Sequence, residues 1–533
     1  MTAAIPAAAA GDKPIPAAAA AAAAQAAQSE PMRGGGLVLA TIALSLGSFM
    51  NILDLSIANV SVPTIAGDLA VSPTQGTWVV TSYGVSEAIL LPLTGWLAAR
   101  LGQVRMFVLA TLLFTLASFL CGISFNFPML LAARVMQGAM GASMIPLAQT
   151  LLTSVYPHER RGLALGLWSM TVVVAPIAGP LAGGWITENL SWHWIFLINL
   201  PLGGLVAAMA WSLLRQRETS VRKVPVDFVG LGLLVVGVGA LQILLDRGNE
   251  LDWFASGQVI ALACVAVLSL AVFIAWEIDH PHPIVDLRLF TRRNFTVGVI
   301  CLFLGMIAFF GTVVVLPLWL QSYQGYTSLW AGKVVAMGGI FAMMLGPIVG
   351  MMMSRVDPRS IATFGFLSFS AVAIWSAHFP PDVDFWSLAL TRLLMGISIG
   401  TFFLPLAAIN LSNLAPERVA AASGLQNFMR NLGSSFGTAI LTNFWERSAA
   451  VFHADMVDNL NQYSTPFKDQ FQRLIELGFS PTQAVAQMEH EISAEAYLMS
   501  TNSVLLLCGG ITLSLLLLIW WARPPFGVAR PGH

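Results

Sequence analysis

The chain has 533 residues, of which 10 % are charged and 56 % hydrophobic, with a net charge of −1 and a mean hydropathy of +0.75. A soluble domain carries about 25 % charged residues, and a chain this poor in charge cannot face water on all sides. That excludes a soluble enzyme or a disordered scaffold, the near-zero charge argues against a nucleic-acid partner, and a polytopic membrane protein remains.

Residues 1–36 form an alanine-rich, low-complexity stretch with no basic region ahead of an apolar core, so they read as a cytoplasmic tail and not as a signal peptide. A spanning helix needs about 20 apolar residues. Such runs occur fourteen times, at 37–60, 77–98, 104–124, 127–152, 161–186, 194–214, 226–245, 257–276, 294–320, 331–352, 359–378, 386–411, 419–444 and 501–522. With the N-terminus inside, 18 Lys and Arg fall in cytoplasmic segments, Arg160, Arg161, Arg222 and Lys223 among them, and only four (Arg247, Arg447, Lys468, Arg473) outside. The positive-inside rule therefore predicts that both termini are cytoplasmic. One outer segment, 445–500, is long, and Ser480-Pro481-Thr482-Gln483 predicts a capped helix start within it. It reads as a solvated loop with short amphipathic helices, or as a cap or docking surface. Cys121, Cys264, Cys301 and Cys508 sit far apart in apolar runs and read as small filler.

The chain repeats itself. Arg134-Val-Met-Gln137-Gly138 in span four parallels Arg392-Leu-Leu-Met-Gly396 in span twelve, an offset of 258, and Gly95 with Arg100 parallels Gly350 with Arg355, an offset of 255. The expected fold is all-α: two parallel six-helix halves, 37–214 and 294–522, with two inserted helices in 215–293 and a tail at 523–533.

A charge inside a bilayer costs about 2.5–3.5 kcal/mol on insertion scales, so each needs a reason. Asp54 in span one and Arg134 in span four lie at similar depth, as an ion pair that either couples to protons or fixes packing. A carboxylate balanced between desolvation and a nearby guanidinium can load and release a proton. Glu87, mid-span two, is a second candidate for proton coupling, or a neutral acid bonded to a neighbouring helix. Arg392 and Arg430 place positive charge in a second half whose spans contain no acid. With Asn59 and Gln137 they are candidates for the substrate cavity or for pairing across the halves. Lys333, at a helix end, can snorkel.

Span five contains Pro176, Gly179, Pro180, Gly183 and Gly184, which predict a kinked, close-packed seam between the halves. Gly95, Arg100, Gly102 and Arg105 mark a cytoplasmic turn with a basic clamp. His280-Pro-His282-Pro283 reads as a stiff linker, and no cluster supports a metal or hydrolase site.

These strings resemble the major facilitator superfamily, and within it the fourteen-helix drug:proton antiporters. Leu53-Asp54-Leu-Ser-Ile-Ala-Asn59-Val-Ser-Val-Pro63 is similar to their first-helix signature and Arg134-Val-Met-Gln-Gly138 to their fourth-helix motif. The span-five string resembles their antiporter motif, and Trp192-His-Trp-Ile-Phe-Leu-Ile-Asn199-Leu-Pro201-Leu-Gly203 the entry to their sixth helix. Runs such as Leu244-Leu-Asp-Arg-Gly248 and Arg523-Pro-Pro-Phe-Gly527 resemble the inner-membrane multidrug exporters of Gram-negative bacteria. The resemblance implies proton-driven efflux of amphipathic compounds by alternating access, without a cofactor. It also implies a periplasmic adaptor and an outer-membrane channel as partners, and maps proton coupling onto Asp54 and Arg134. Ala99 departs from the family's usual loop acid and His193 from a common Arg. A dedicated exporter of one metabolite, lipid or siderophore is the close alternative, ahead of a non-transporting sensor or a passive channel.

Overall fold

A computed structural model describes residues 31–157, 160–221, 225–281, 283–459 and 465–526. Most of the alanine-rich tail, Arg222, Lys223, His282 and Gly527 lie outside the described residues, as does the side chain of Pro180. Every regular element among the described residues is helical.

Among the described residues, ten helices are long and apolar enough to cross a membrane. They are Gly34–Asp68 (span one), Gln103–Gly122 (three), Phe127–Val155 (four), Trp194–Arg217 (six), Phe228–Arg247 (seven), Gly257–Asp279 (eight), Arg293–Ser322 (nine), Trp330–Met352 (ten), Phe385–Asn410 (twelve) and Pro481–Ile519 (fourteen). Arg161–Asn189, Pro358–Ser376 and Pro416–Asn459 occupy spans five, eleven and thirteen. Span two is Trp78–Leu90 and Thr94–Leu101, joined by a 3-10 turn at Leu91–Leu93. Pro92 in that turn has no amide to donate to the preceding turn, which disfavours a regular α-helix there. The fourteen-helix architecture expected from the sequence is present.

The segment 445–500 contains the expected short amphipathic helix, Thr465–Glu476, but its flanks are long extensions of the spans. Span thirteen continues unbroken to Asn459, and span fourteen begins at Pro481, well before its apolar stretch. Ser480 Oγ accepts from Gln483 N at 3.3 Å while Gln483 Oε1 accepts from Ser480 N at 2.9 Å, the reciprocal box predicted for that start. The helix Thr465–Glu476 lies on this extension, burying Leu474 beside Ala484 and Met488.

Residues from both termini gather at one end, hereafter the terminal end. There Met32 N donates to Val155 O (2.9 Å), Arg293 Nε to Trp521 O (2.5 Å) and Asn413 Nδ2 to Pro525 O (2.7 Å). Spans one to six and nine to fourteen form two halves that meet through glycines at this end. A Cβ on Gly162 would strike Gly350 O and one on Gly166 would strike Gly346 O, bringing spans five and ten into backbone contact. Gly95 of span two lies against Ala421 of span thirteen, and a Cβ on Gly424 would sit 2.8 Å from Leu91 O. Toward the opposite end Gly184 and Gly332 have nothing within 4 Å.

Spans seven and eight cover the cleft on one side. Leu234, Val238 and Phe273 from this pair share an apolar cluster with Ala88 and Leu93 of span two and with Ala422 and Leu425 of span thirteen. Asp227 caps span seven, accepting from Val229 N and Gly230 N at 3.0 Å and from Trp276 Nε1 at 2.7 Å. Burial pushes its carboxyl up, but these hydrogen bonds and nearby His280 hold it below the usual carboxylate range.

Candidate functional site

Span one presents Asp54 toward spans four and six. Its Oδ2 accepts from Arg134 Nη1 at 2.6 Å, and its Oδ1 accepts from Gln137 Nε2 at 2.8 Å and Asn199 Nδ2 at 2.7 Å. Arg134 and Gln137 are one helical turn apart, so they share a face. Gln137 Oε1 accepts from the same Nη1 at 2.8 Å, and Arg134 Nε donates to Val79 O at 2.9 Å. The guanidinium carbon lies 4.4 Å from the Tyr83 ring centroid and 5.4 Å from that of Phe196. Arg134 is fully buried and Asp54 is 2 % exposed.

An ion pair taken out of water survives only when further hydrogen bonds satisfy both partners. Here every bond to the carboxylate comes from within the first half. Protonating Asp54 removes the charge that holds Arg134 and turns one carboxylate oxygen into a donor, so Gln137 and Asn199 must adjust with it. Asn199 donates also to Ser118 Oγ (3.0 Å), which in turn donates to Phe196 O (2.9 Å). The network therefore extends from the acid to the backbone entering span six.

Asn199 and Ser118 are missing from the sequence-based site. Asn199 stands inside the sixth-helix string, where its spacing gave a signal; Ser118 carries none. Gln137, expected at the cavity or between the halves, instead lies on Asp54 within the first half, because its one-turn offset from Arg134 fixes its direction. Asn59, about one turn beyond Asp54, is exposed.

A second set of polar groups lies between the halves. Glu87 of span two and Arg430 of span thirteen are both buried. Arg430 is the charge that acts most strongly on Glu87, ahead of Arg134 and Asp54. Arg430 Nη2 donates to Asn431 Oδ1 at 3.4 Å, while its Nη1 has no hydrogen-bond partner. Its guanidinium lies 5.9 Å from the Phe403 ring, which stacks at 6.4 Å on buried Trp168. Asn427 Nδ2 donates to Gln149 Oε1 at 3.4 Å, joining spans thirteen and four. Aromatic faces, a carboxylate and an under-satisfied guanidinium at a half-to-half boundary can contact apolar and polar parts of one molecule.

Arg392 is elsewhere. It is 4 % exposed and lines a small cavity made wholly from the second half, with Trp319, Ser376, Thr391 and Asn502. It does not reach Asp54 or Glu87, because span twelve directs it toward spans nine, eleven and fourteen. Lys333 lies outside this set, with its ammonium 4.1 Å from the Trp330 ring centroid.

The span-five string divides its work. Gly179 packs on Ser56 and Gly183 on Ile57 of span one, while Ser56 Oγ donates to Pro176 O at 3.2 Å. This part of the seam lies within the first half. The seam between halves uses Gly162 and Gly166, which lie on a different face of the same helix. Gly184 faces open space.

At the loop motif, Gly102 has φ +91°, a left-handed value that glycine adopts without strain, and precedes span three. The Glu218 carboxylate sits against it, accepting from Val104 N (3.1 Å) and Arg105 N (2.8 Å). Arg105 Nε is 3.9 Å from the same carboxylate, and Arg100 lies 5.2 Å from the Trp96 ring. The carboxylate at this turn therefore comes from the end of span six and not from position 99.

Comparison with known proteins places this geometry. Residues 44–438 match the family model described as Major Facilitator Superfamily. The chain is 46 % identical over 506 residues to the multidrug export protein EmrB of Escherichia coli K12, covering 95 % of this chain and 99 % of that protein. It is 42 % identical over 503 residues to the fatty acid resistance protein FarB of Neisseria gonorrhoeae, covering 94 % and 99 %. Among solved structures, the human organic anion transporter MFSD10 aligns with a TM-score of 0.57 over 91 % of this chain and 100 % of that one, at 12 % identity, a likeness of fold.

Proposed function

Because this chain belongs to the Major Facilitator Superfamily, we propose that it exports amphipathic compounds by proton-driven alternating access, with Asp54 as the proton-carrying acid. It is a secondary transporter and not an enzyme. The single observation that carries the coupling role is the Asp54 carboxylate held between Arg134, Gln137 and Asn199. A proton arriving there releases a buried cation and two amides together, so one titration is felt by spans one, four and six at once. Glu87 is the second acid, and the Arg430, Phe403 and Trp168 surface between the halves receives the amphipathic cargo.

The excess of Lys and Arg in the segments joined at the terminal end makes that end cytoplasmic. The glycine contacts then close the inner side, so the described state faces outward, ready to release cargo and take up a proton. The membrane is the bacterial inner membrane, on the likeness to EmrB. The extensions of spans thirteen and fourteen beyond their apolar stretches, with the helix Thr465–Glu476, face the periplasm, where an adaptor and an outer-membrane channel would continue the route. A second reading, export of a single class of long-chain amphipath, is favoured by the likeness to a fatty acid resistance protein.

Asp54→Asn in proteoliposomes tests the coupling. Dye efflux driven by an imposed pH gradient is expected to fall to background while protein yield and dye binding persist. Unchanged efflux rejects Asp54 as the coupling acid. A resistance profile of a deletion strain separates the two cargo readings: sensitivity to one compound class sinks polyspecific export.

A further inference from the structure

The arginine of the repeated motif is neutralised in the first half and left bare in the second. The 258-residue offset that takes Arg134 to Arg392 takes Asp54 to Thr312, Gln137 to Met395 and Ser118 to Ser376. Both partners that bind the Arg134 guanidinium through side chains are thereby lost. Among the described residues, no acid lies within 4.0 Å of Arg392 and its Nε has no hydrogen-bond partner. Thr312 is buried and donates its hydroxyl to Phe309 O at 2.9 Å.

Space remains beside the guanidinium. A cavity of about 10 Å³ lies against Arg392, room for roughly one water or one ion of similar size. Trp319 lines it, about two turns along span nine from Thr312, and its buried Nε1 also has no partner. The neighbouring hydroxyls have spent their protons on backbone carbonyls: Ser376 on Val372 O, Thr391 on Leu388 O and Thr501 on Tyr497 O. What faces the space is thus a guanidinium, an indole with an unpartnered N–H, the oxygens of Ser376, Thr391 and Thr501 and the amide of Asn502, and the rest is leucine and phenylalanine; none of these carries a negative charge. A water would accept from one of them and leave the charge unmatched. A weakly hydrated monovalent anion matches the guanidinium, the indole N–H and the charge, and suits apolar walls.

We propose that this cavity is a binding site for a small inorganic anion of the chloride class, which supplies the negative charge that Arg392 lacks within the second half. It is structural, closed within one half and separate from the export route, so its test reads stability and needs no transport.

The probe is chloride itself, titrated against gluconate at constant ionic strength on the purified full-length protein, with Tm followed by intrinsic fluorescence. Gluconate is too large for the cavity. The expected result is a saturable rise in Tm of a few degrees with chloride, reproduced by bromide. Arg392→Gln, which removes the charge to be matched, is expected to flatten that response, and Trp319→Phe, which removes the unpartnered indole N–H, to weaken it. If Arg392→Gln fails to fold, Trp319→Phe decides. A flat titration of the unmodified protein overturns the proposal, leaving a water in the cavity. So does a chloride response that survives in Arg392→Gln, because the anion then binds elsewhere.

Discussion

Two arginines at equivalent places in a repeated motif have opposite surroundings. Arg134 donates to Asp54, Gln137 and Val79 O and is flanked by two aromatic rings, whereas Arg392 has a small cavity and a partnerless indole. The motif preserves the helix geometry in both halves, with Gly138 and Gly396 each in close contact with a neighbouring helix. The chemistry is kept in only one. On the proposed reading, proton coupling is confined to the first half, and the second half acts as the body against which it moves.

The largest effect that would sharpen this contrast is on stability. Arg134→Gln leaves Asp54 buried without its cation, which costs about 3–5 kcal/mol, and a large fall in Tm and yield is expected. The double change Asp54→Asn with Arg134→Gln should recover much of that loss, since no unpaired charge remains. Arg392→Gln removes a cation that has no acid to strand, and its Tm in chloride-free buffer should change little or rise. Equal losses at the two arginines would break the asymmetry.

Where the repeat is intact, matched substitutions should behave alike. Gly95 and Gly350, related by the 255 offset, each abut the opposite half at the terminal end. A leucine at either overfills the contact, at a cost of about 1–3 kcal/mol, and shifts the balance between the two access states by roughly tenfold per 1.4 kcal/mol. Spin-label distances between the halves at this end should lengthen in both variants. A change in only one would place the hinge closer to that partner.

How much of this was legible in the sequence follows from what each signal reports. The spans, the repeat and the capping box at Ser480 were legible because periodicity, apolar length and local spacing are one-dimensional. Asp54 and Arg134 stood out because a charge in an apolar run is conspicuous. Ser118 was not, since a serine in a span is ordinary and only the fold brings it to Asn199. The direction of Arg392 was equally hidden: its rotation about span twelve depends on packing, so a charge that could serve the cavity turned instead into its own half. The extensions of spans thirteen and fourteen into 445–500 were obscured by composition, as polar residues on a projecting helix read like a loop.

The smallest effect concerns the entry to spans three and eleven, where the halves solve one problem differently. The 255 offset takes Gly102 to Asp357. Asp357 caps its own helix, accepting from Arg359 N at 2.9 Å and pairing with Arg359 Nη2 at 2.7 Å. Gly102 has no side chain to do this, and Glu218 arrives from the far end of the half to accept from Val104 N and Arg105 N. Burial pushes the Asp357 carboxyl up, but the Arg359 bonds hold it below the usual range. Its contribution is therefore full above about pH 4 and is lost as pH falls through the lower folded value. Glu218→Ala removes a cap and an anion at a helix N-terminus, about 1 kcal/mol in all, whereas Glu218→Gln keeps one acceptor and should cost about half as much. Asp357→Ala should cost about the same as Glu218→Ala in Tm. Only Glu218→Ala should also loosen the segment after span six, read as faster hydrogen exchange over residues 215–219, because only there does the cap tie two distant parts of the chain together.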